Sequence, residues 1–145
     1  EEFEEQIANG QMLEHAEYCG KYYGTPSSQI MDWIEEGRDV VLEIEVQGAR
    51  QIKEKRPDCV SIFVLPPSIE ELEKRLRYRN TEDEETIQKR LAVARQEMET
   101  ARDYDYVIVN DTIEHTVEQI NKIIAAEKLK VSRAKSNIER VLNND

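Results

Sequence analysis

Three groups of residues in this 145-residue chain have the types and spacing that chemistry needs. The run "DVVLEIEV", residues 39–46, sets two glutamates into an otherwise apolar, β-branched segment. Side chains alternate along a strand, so Glu43 and Glu45 share one face while Leu42, Ile44 and Val46 share the other. A central parallel strand is normally apolar on both faces. Carboxylates in its C-terminal half stand where open α/β sheets bind ligands, and they suit a metal ion or a polar substrate. An edge strand with one wet face carries the same pattern, and spacing does not choose between the two. The second group is "EKRLRYRN", residues 73–80. Arg75 and Arg79 are four apart and project from one helical face, Arg77 lies on another side, and Arg90 opens the following helix. Guanidinium forks chelate phosphate oxygens, so a mobile helical pair carrying several could close over a polyphosphate. Glu70, Glu71 and Glu73 offer the plainer alternative of ion pairs on a solvated surface, which the residues alone favour. The third group is "GQMLEHAEYCGKYYGTP", residues 10–26, where Glu14 and Glu17 lie close to Tyr18, Tyr22, Tyr23 and Thr25. It reads either as an acidic loop with aromatic packing or as half of a ligand pocket. His15 and His115 read as structural and helix-surface residues, since two lone histidines make no metal site.

Alternating helical and strand periods must position these groups. Phe3 and Ile7 mark a short acidic helix that Asn9-Gly10 ends. Ile30, Trp33 and Ile34 mark a second, ended by Gly37. Residues 39–46 read as a strand, followed by Gly48 and a basic helix that Pro57 stops. "CVSIFVLPP", 59–67, is a second, buried strand. Ser68 with Glu71 forms a capping box at the head of the next helix. "NTEDEET" is a charged break, after which Ile87, Leu91, Ala94, Met98 and Ala101 form one stripe. "YDYVIVND", 104–111, is a third strand, and Ile113, Val117, Ile120 and Ile124 line the last well-patterned helix. The tail from Ser132 is weakly amphipathic through Ile138, Val141 and Leu142, and is expected to fray rather than pack. Strands separated by helices require crossovers, hence an α/β fold with a mostly parallel sheet covered on both sides.

The length suits one domain with a core of its own. With 31 acidic against 20 basic residues the net charge is −11, which argues against a general binder of nucleic-acid polymers or anionic membranes. Any bound anion must be met by a local cluster. Cys19 and Cys59 lack metal-ligand spacing and read as reduced thiols. No apolar run approaches a membrane span and no signal peptide opens the chain, so a soluble, cytoplasmic protein is expected.

The stretches "LEHAEYCGKYYGTP", "VVLEIEVQGARQI", "VSIFVLPPSIEELEKRLRYRNT" and "DYDYVIVND" follow the order and approximate spacing of the guanylate kinases. The chain is similar to that family up to about Lys130. The resemblance implies a three-layer P-loop nucleoside monophosphate kinase fold, with a parallel sheet incomplete at the N-terminus and a helical lid. On that scheme residues 1–30 belong to the GMP-binding region and 31–67 to core strands and helices. Residues 68–95 form the lid with its flanking helices, and 96–145 the last core strand, C-terminal helix and tail. Glu14 resembles the carboxylate that recognises guanine, whose N1 and N2 edge can donate two hydrogen bonds to it. Tyr23 matches the tyrosine that meets the GMP phosphate, and Thr25 the hydroxyl residue that helps hold the base. Glu45 stands where the family commonly has aspartate, near GMP and magnesium, with Glu43 beside it; neither is expected to be a direct metal ligand. Arg75, Arg79 and Arg90 match the lid arginines that approach the transferring phosphates, Arg75 and Arg79 on the ATP side. Asn110 matches the residue lying against the adenine of ATP. Asn80 replaces the usual glycine after the lid arginine.

The implied reaction is ATP plus GMP giving ADP plus GDP, with Mg2+ accompanying ATP and GMP and ATP as partners; a homodimer is compatible with it. No G-x-x-x-x-G-K-[ST] P-loop is present, and the serine and arginines that grip the GMP phosphate are missing with it. The 145 residues alone are therefore expected to be inactive. A guanylate-kinase-like interaction module that binds phosphopeptides is the alternative, and a monophosphate kinase of different base preference is a third.

Overall fold

The computed structural model describes residues 2–18, 21–78 and 82–143, the side chains of residues 13–23 lying outside that description. The chain divides into two compact units. One comprises residues 1–61 and 102–105, the other residues 62–101 and 106–145.

In the first unit, helix α1 (Glu2–Ala8) ends at Gly10, whose φ of 69° is a left-handed conformation that glycine adopts without Cβ strain. Strands β1 (Met12–Tyr18) and β2 (Lys21–Pro26) then pair antiparallel. The sequence reading assigned no strands here. Acidic and aromatic residues are mixed along both strands, so no apolar alternation announces them. Helix α2 (Ser27–Glu35) follows and terminates at Gly37, φ 83°. Its Ile30 joins Ile52 of α3 (Val46–Lys55) in a small core, with Trp33, Val40, Leu42, Ile44 and Cys59 packed against them.

The segment expected as strand 39–46 departs from that assignment. Residues 38–45 carry no strand ladder among the described residues, and Val46 is already helical. The alternation itself survives: Val40, Leu42 and Ile44 are half-buried against the Ile30–Ile52 core, while Val41, Glu43 and Glu45 are exposed. One buried face sets the period, and a ladder additionally needs a hydrogen-bonded neighbour. Glu45 moves the helix start ahead of Gly48 by capping α3, its carboxylate accepting from the backbone N–H of Gln47 at 2.7 Å and of Gly48 at 2.5 Å.

In the second unit, β3 (Ile62–Leu65) and β4 (Tyr106–Val109) pair in parallel, with Ile62 opposite Tyr106 and Leu65 opposite Val109. Between them come α4 (Ile69–Tyr78) and α5 (Glu84–Glu99). Ser68 Oγ accepts from the Glu71 N–H at 3.0 Å, and Asp83 accepts from the Thr86 N–H at 2.9 Å, so both helices begin at side-chain caps. Ile87 and Leu91 are buried as the stripe predicts. Val64, Val107 and Val109 are exposed, although a parallel sheet normally covers both faces; the two strands are not fully enclosed by the described residues of this unit.

Helix α6 (Ile113–Lys128) keeps the C-terminal half of the expected stripe, Ile120 and Ile124 being half-buried, but not its N-terminal half. Ile113 and Val117 are exposed, whereas Ile123 and Glu127 are buried and Thr116, Gln119 and Ile120 half-buried. Steps of three and four from Thr116 reach Ile120, Ile123 and Glu127, so the inward stripe has helical period but admits polar residues. The tail also differs: α7 (Lys135–Leu142) is a helix, with Ile138, Val141 and Leu142 exposed.

Candidate functional site

The candidate residues fall into two sets, one in each unit. In the first unit, the β1–β2 register sets Glu14 directly opposite Thr25 and Ala16 opposite Tyr23, with a register shift between Met12 and Glu14. Three residues singled out from sequence are thus gathered within a few positions of one hairpin. Antiparallel pairing needs both backbones extended, which the tyrosines and threonine of β2 favour. The Lys55 ammonium, on α3, donates to the Met12 carbonyl at 2.7 Å and so fastens α3 to the head of β1. Met12 is almost wholly buried there.

Glu45 and Glu43 follow the half-buried apolar segment. The Glu45 carboxylate is committed to the α3 cap, yet two oxygens with about four lone-pair sites retain accepting capacity beyond two N–H groups. Glu43 is exposed on the same side. Among the described residues, no three histidine, cysteine, aspartate or glutamate side chains gather as a metal site. The unit is closed by Asp105, which accepts from Lys53 Nζ at 2.8 Å and from the Ser61 N–H at 2.9 Å. Burial works against its charge, but the hydrogen bonds from Lys53 and Ser61 outweigh it and hold the pKa below the ordinary carboxylate value. Cys59 is a free thiol whose pKa is pushed up, chiefly by burial, which suits a packing residue rather than a nucleophile.

In the second unit, Arg75 and Asn110 come together. Arg75 Nη2 donates to the Asn110 carbonyl oxygen at 3.3 Å, and Arg75 Nε lies 3.6 Å from Glu71. Asn110 follows β4 directly, its N–H donating to the Leu65 carbonyl at 2.8 Å. Arg90 Nη2 donates to Glu82 at 2.5 Å. The ion pairing with glutamates anticipated from sequence is therefore realised for Arg75, and Arg90 has an acidic neighbour from the charged break. Arg79 and Asn80 lie outside the described residues.

The family resemblance gives Arg77 no task, and the ion pairing expected from spacing is realised for it as well. Its guanidinium meets the Glu84 carboxylate edge to edge, Nη1 at 2.6 Å and Nη2 at 2.8 Å, and also donates to Glu73 through Nε and Nη2. Glu84 additionally accepts from Gln88. These bonds, Arg77 first and Gln88 second, lower the Glu84 pKa to about 2. The same two glutamates, Glu84 foremost, raise the Arg77 pKa. The fork ties α4 to α5 on either side of residues 79–81. The i,i+4 spacing of Glu73 and Arg77 was a legible signal, but the seven-residue reach to Glu84 depends on how the helices turn back.

His115 sits on the exposed side of α6 with Nδ1 at 2.8 Å from Asp111, in keeping with a surface role. Asp111 is held below the usual carboxylate range by the Thr112 N–H and then by His115.

Comparison with known proteins decides what these sets belong to. The guanylate kinase family model matches residues 1–127, which include every candidate residue in both units. The chain belongs to the guanylate kinase family. A guanylate kinase of Lactococcus lactis is 51% identical over 143 residues, covering 99% of this chain and 68% of that protein. One of Desulfitobacterium hafniense is 51% identical over 133 residues, covering 92% of this chain and 66% of that protein. The crystal structure of guanylate kinase from Anaplasma phagocytophilum matches with a TM-score of 0.75 at 38% identity, over 91% of this chain and 64% of that one. The chain thus spans about two thirds of the length of these guanylate kinases. The likeness places it in the P-loop nucleoside monophosphate kinase fold, a phosphotransferase class.

Proposed function

We infer that this chain is the larger part of an enzyme that transfers the terminal phosphoryl of ATP to GMP. The observation that carries this reading is the family match over residues 1–127, because it spans the hairpin set and the arginine–asparagine set together. On this reading Glu14 accepts the hydrogen-bond donors of the guanine edge and Thr25, opposite it in register, steadies the base. Tyr23, two residues before Thr25 on the same strand, offers its hydroxyl to the GMP phosphate. Asn110 lies against the adenine. Arg75 and Arg90 exchange their partners for phosphate oxygens and, together with Arg79, offset charge as the phosphoryl moves.

Magnesium bound with ATP would supply positive charge that offsets part of the phosphate charge. Glu45, with lone pairs to spare beyond its helix cap, and the exposed Glu43 would stand near it without holding it directly. A P-loop lysine has to come from outside these 145 residues, which hold no such motif. Lid closure would shut out water and suppress ATP hydrolysis. We place the reaction in the cytoplasm. Among the described residues, no helix is long and apolar enough to cross a membrane.

The test is GMP-dependent ADP formation. The purified 145-residue chain should show none, whereas the full-length polypeptide carrying a P-loop should show it with GMP and far less with AMP. Equal response to AMP and GMP would sink the base assignment. Phosphopeptide binding with indifference to GMP would sink the enzyme reading.

A further inference from the structure

Two acceptors converge on one hydroxyl at the start of α6. Thr116 Oγ1 is 2.8 Å from the Thr112 carbonyl oxygen and 3.1 Å from Asn110 Oδ1. A hydroxyl has one hydrogen and two lone pairs, so it can serve only one of these oxygens. Helical threonine commonly gives its hydrogen to the i−4 carbonyl, and here that is also the shorter contact. Asn110 Oδ1 is then left facing the lone pairs of Oγ1. A half-turn of the carboxamide removes the conflict, because Nδ2–H donates to Oγ1 while the hydroxyl keeps Thr112. The Asn110 backbone is fixed separately by Leu65 and Arg75, so Thr116 governs only which end of the amide faces outward.

We propose that Thr116 is a positioning residue that turns the Asn110 carboxamide oxygen outward and thereby selects adenine as the base of the phosphoryl donor. This rests on the reading of Asn110 as the adenine contact. An outward oxygen accepts from the exocyclic amine at C6 of adenine. An outward amide would instead donate to the C6 carbonyl of hypoxanthine or guanine. Valine at 116 has the shape of threonine without the hydroxyl, and leaves the carboxamide to turn either way.

Initial rates of the full-length kinase with ATP and with ITP, at saturating GMP, test this. Thr116→Val should lower the ATP-over-ITP ratio of kcat/KM roughly five- to tenfold, the worth of about one hydrogen bond. The loss should appear in KM for the triphosphate, with kcat at saturating ATP and KM for GMP unchanged, and Thr116→Ser should restore the ratio. Asn110→Ala separates the two ideas. If it leaves the ratio unchanged, the adenine reading falls and the role of Thr116 with it. If it collapses the ratio while Thr116→Val does not, the role of Thr116 is overturned and the adenine reading stands. In the 145-residue chain, the Asn110 side-chain amide hydrogens should exchange with solvent faster in Thr116→Val than in the parent. Equal exchange would overturn the proposal without any appeal to activity.

Discussion

The first unit places its candidates through the backbone: strand register pairs Glu14 with Thr25, and a helix cap fixes Glu45. The second places them through side chains, with Arg75, Arg77 and Arg90 held by glutamates or a carbonyl at or near the surface. A register cannot change without breaking a ladder, whereas an exposed ion pair is worth about 1 kcal/mol or less and yields readily to a phosphate. On the proposed reading, one set recognises and the other exchanges partners. The family's chemistry needs both kinds, since recognition of a base asks for fixed donors and acceptors while phosphoryl transfer asks for charge that arrives with closure.

The sharpest way to break this contrast is to compare variants of the full-length kinase. Arg75→Ala or Arg90→Ala is expected to lower kcat roughly a hundred- to a thousandfold, as loss of a transition-state contact does, with little change in KM for GMP. Glu14→Gln should act oppositely, raising KM for GMP on the order of tenfold or more by removing charge-assisted hydrogen bonds while ATP affinity holds. Steady-state kinetics that moved the same parameter in both variants would erase the distinction.

A subtler probe concerns the Arg77–Glu84 fork. The Glu84 pKa lies at about 2 against an ordinary 4.5, so its contribution is fully present above pH 4.5 and is lost as pH falls toward 2. Amide exchange in α4 and α5, corrected for intrinsic rates, should therefore be flat from pH 8 to 5 and quicken below about pH 4.5, with Glu84→Gln already quickened between pH 8 and 5. Smallest of all, Glu45→Ala should cost about 1 kcal/mol of stability by denaturant melting, the usual worth of an N-cap, while Glu43→Ala costs nearly nothing. Equal losses would mean that Glu45 is not held by its cap.

Much of this was legible in the residues. The helix start at Ser68 and the stops at Gly10 and Gly37 follow from a capping box and left-handed glycines, and β3 and β4 from short β-branched runs. The hairpin was not, because cross-strand pairing of acids with tyrosines has no apolar period to read. The α6 face is half legible for a related reason: apolar spacing finds Ile120 and Ile124 but also takes in the exposed Ile113 and Val117, while the inward face admits Thr116 and Glu127. Candidate residues could be named from motif resemblance, but the partners that hold them could not. Arg77 to Glu84 and Thr116 to Asn110 join residues across a turn, and such links become visible only when the chain has folded back.

The buried Glu127 carboxylate ties the end of α6 to residues that follow it. It accepts from Lys130 at 2.8 Å, from the Tyr106 hydroxyl at 2.5 Å and from Arg133 at 3.3 Å, which in that order hold its pKa at about 2. Two of these three donors come after residue 127, where the family match ends. A polypeptide trimmed to that limit would keep the acid and discard the cations that neutralise it. The serviceable cutting point for anyone shortening this protein therefore lies beyond Arg133.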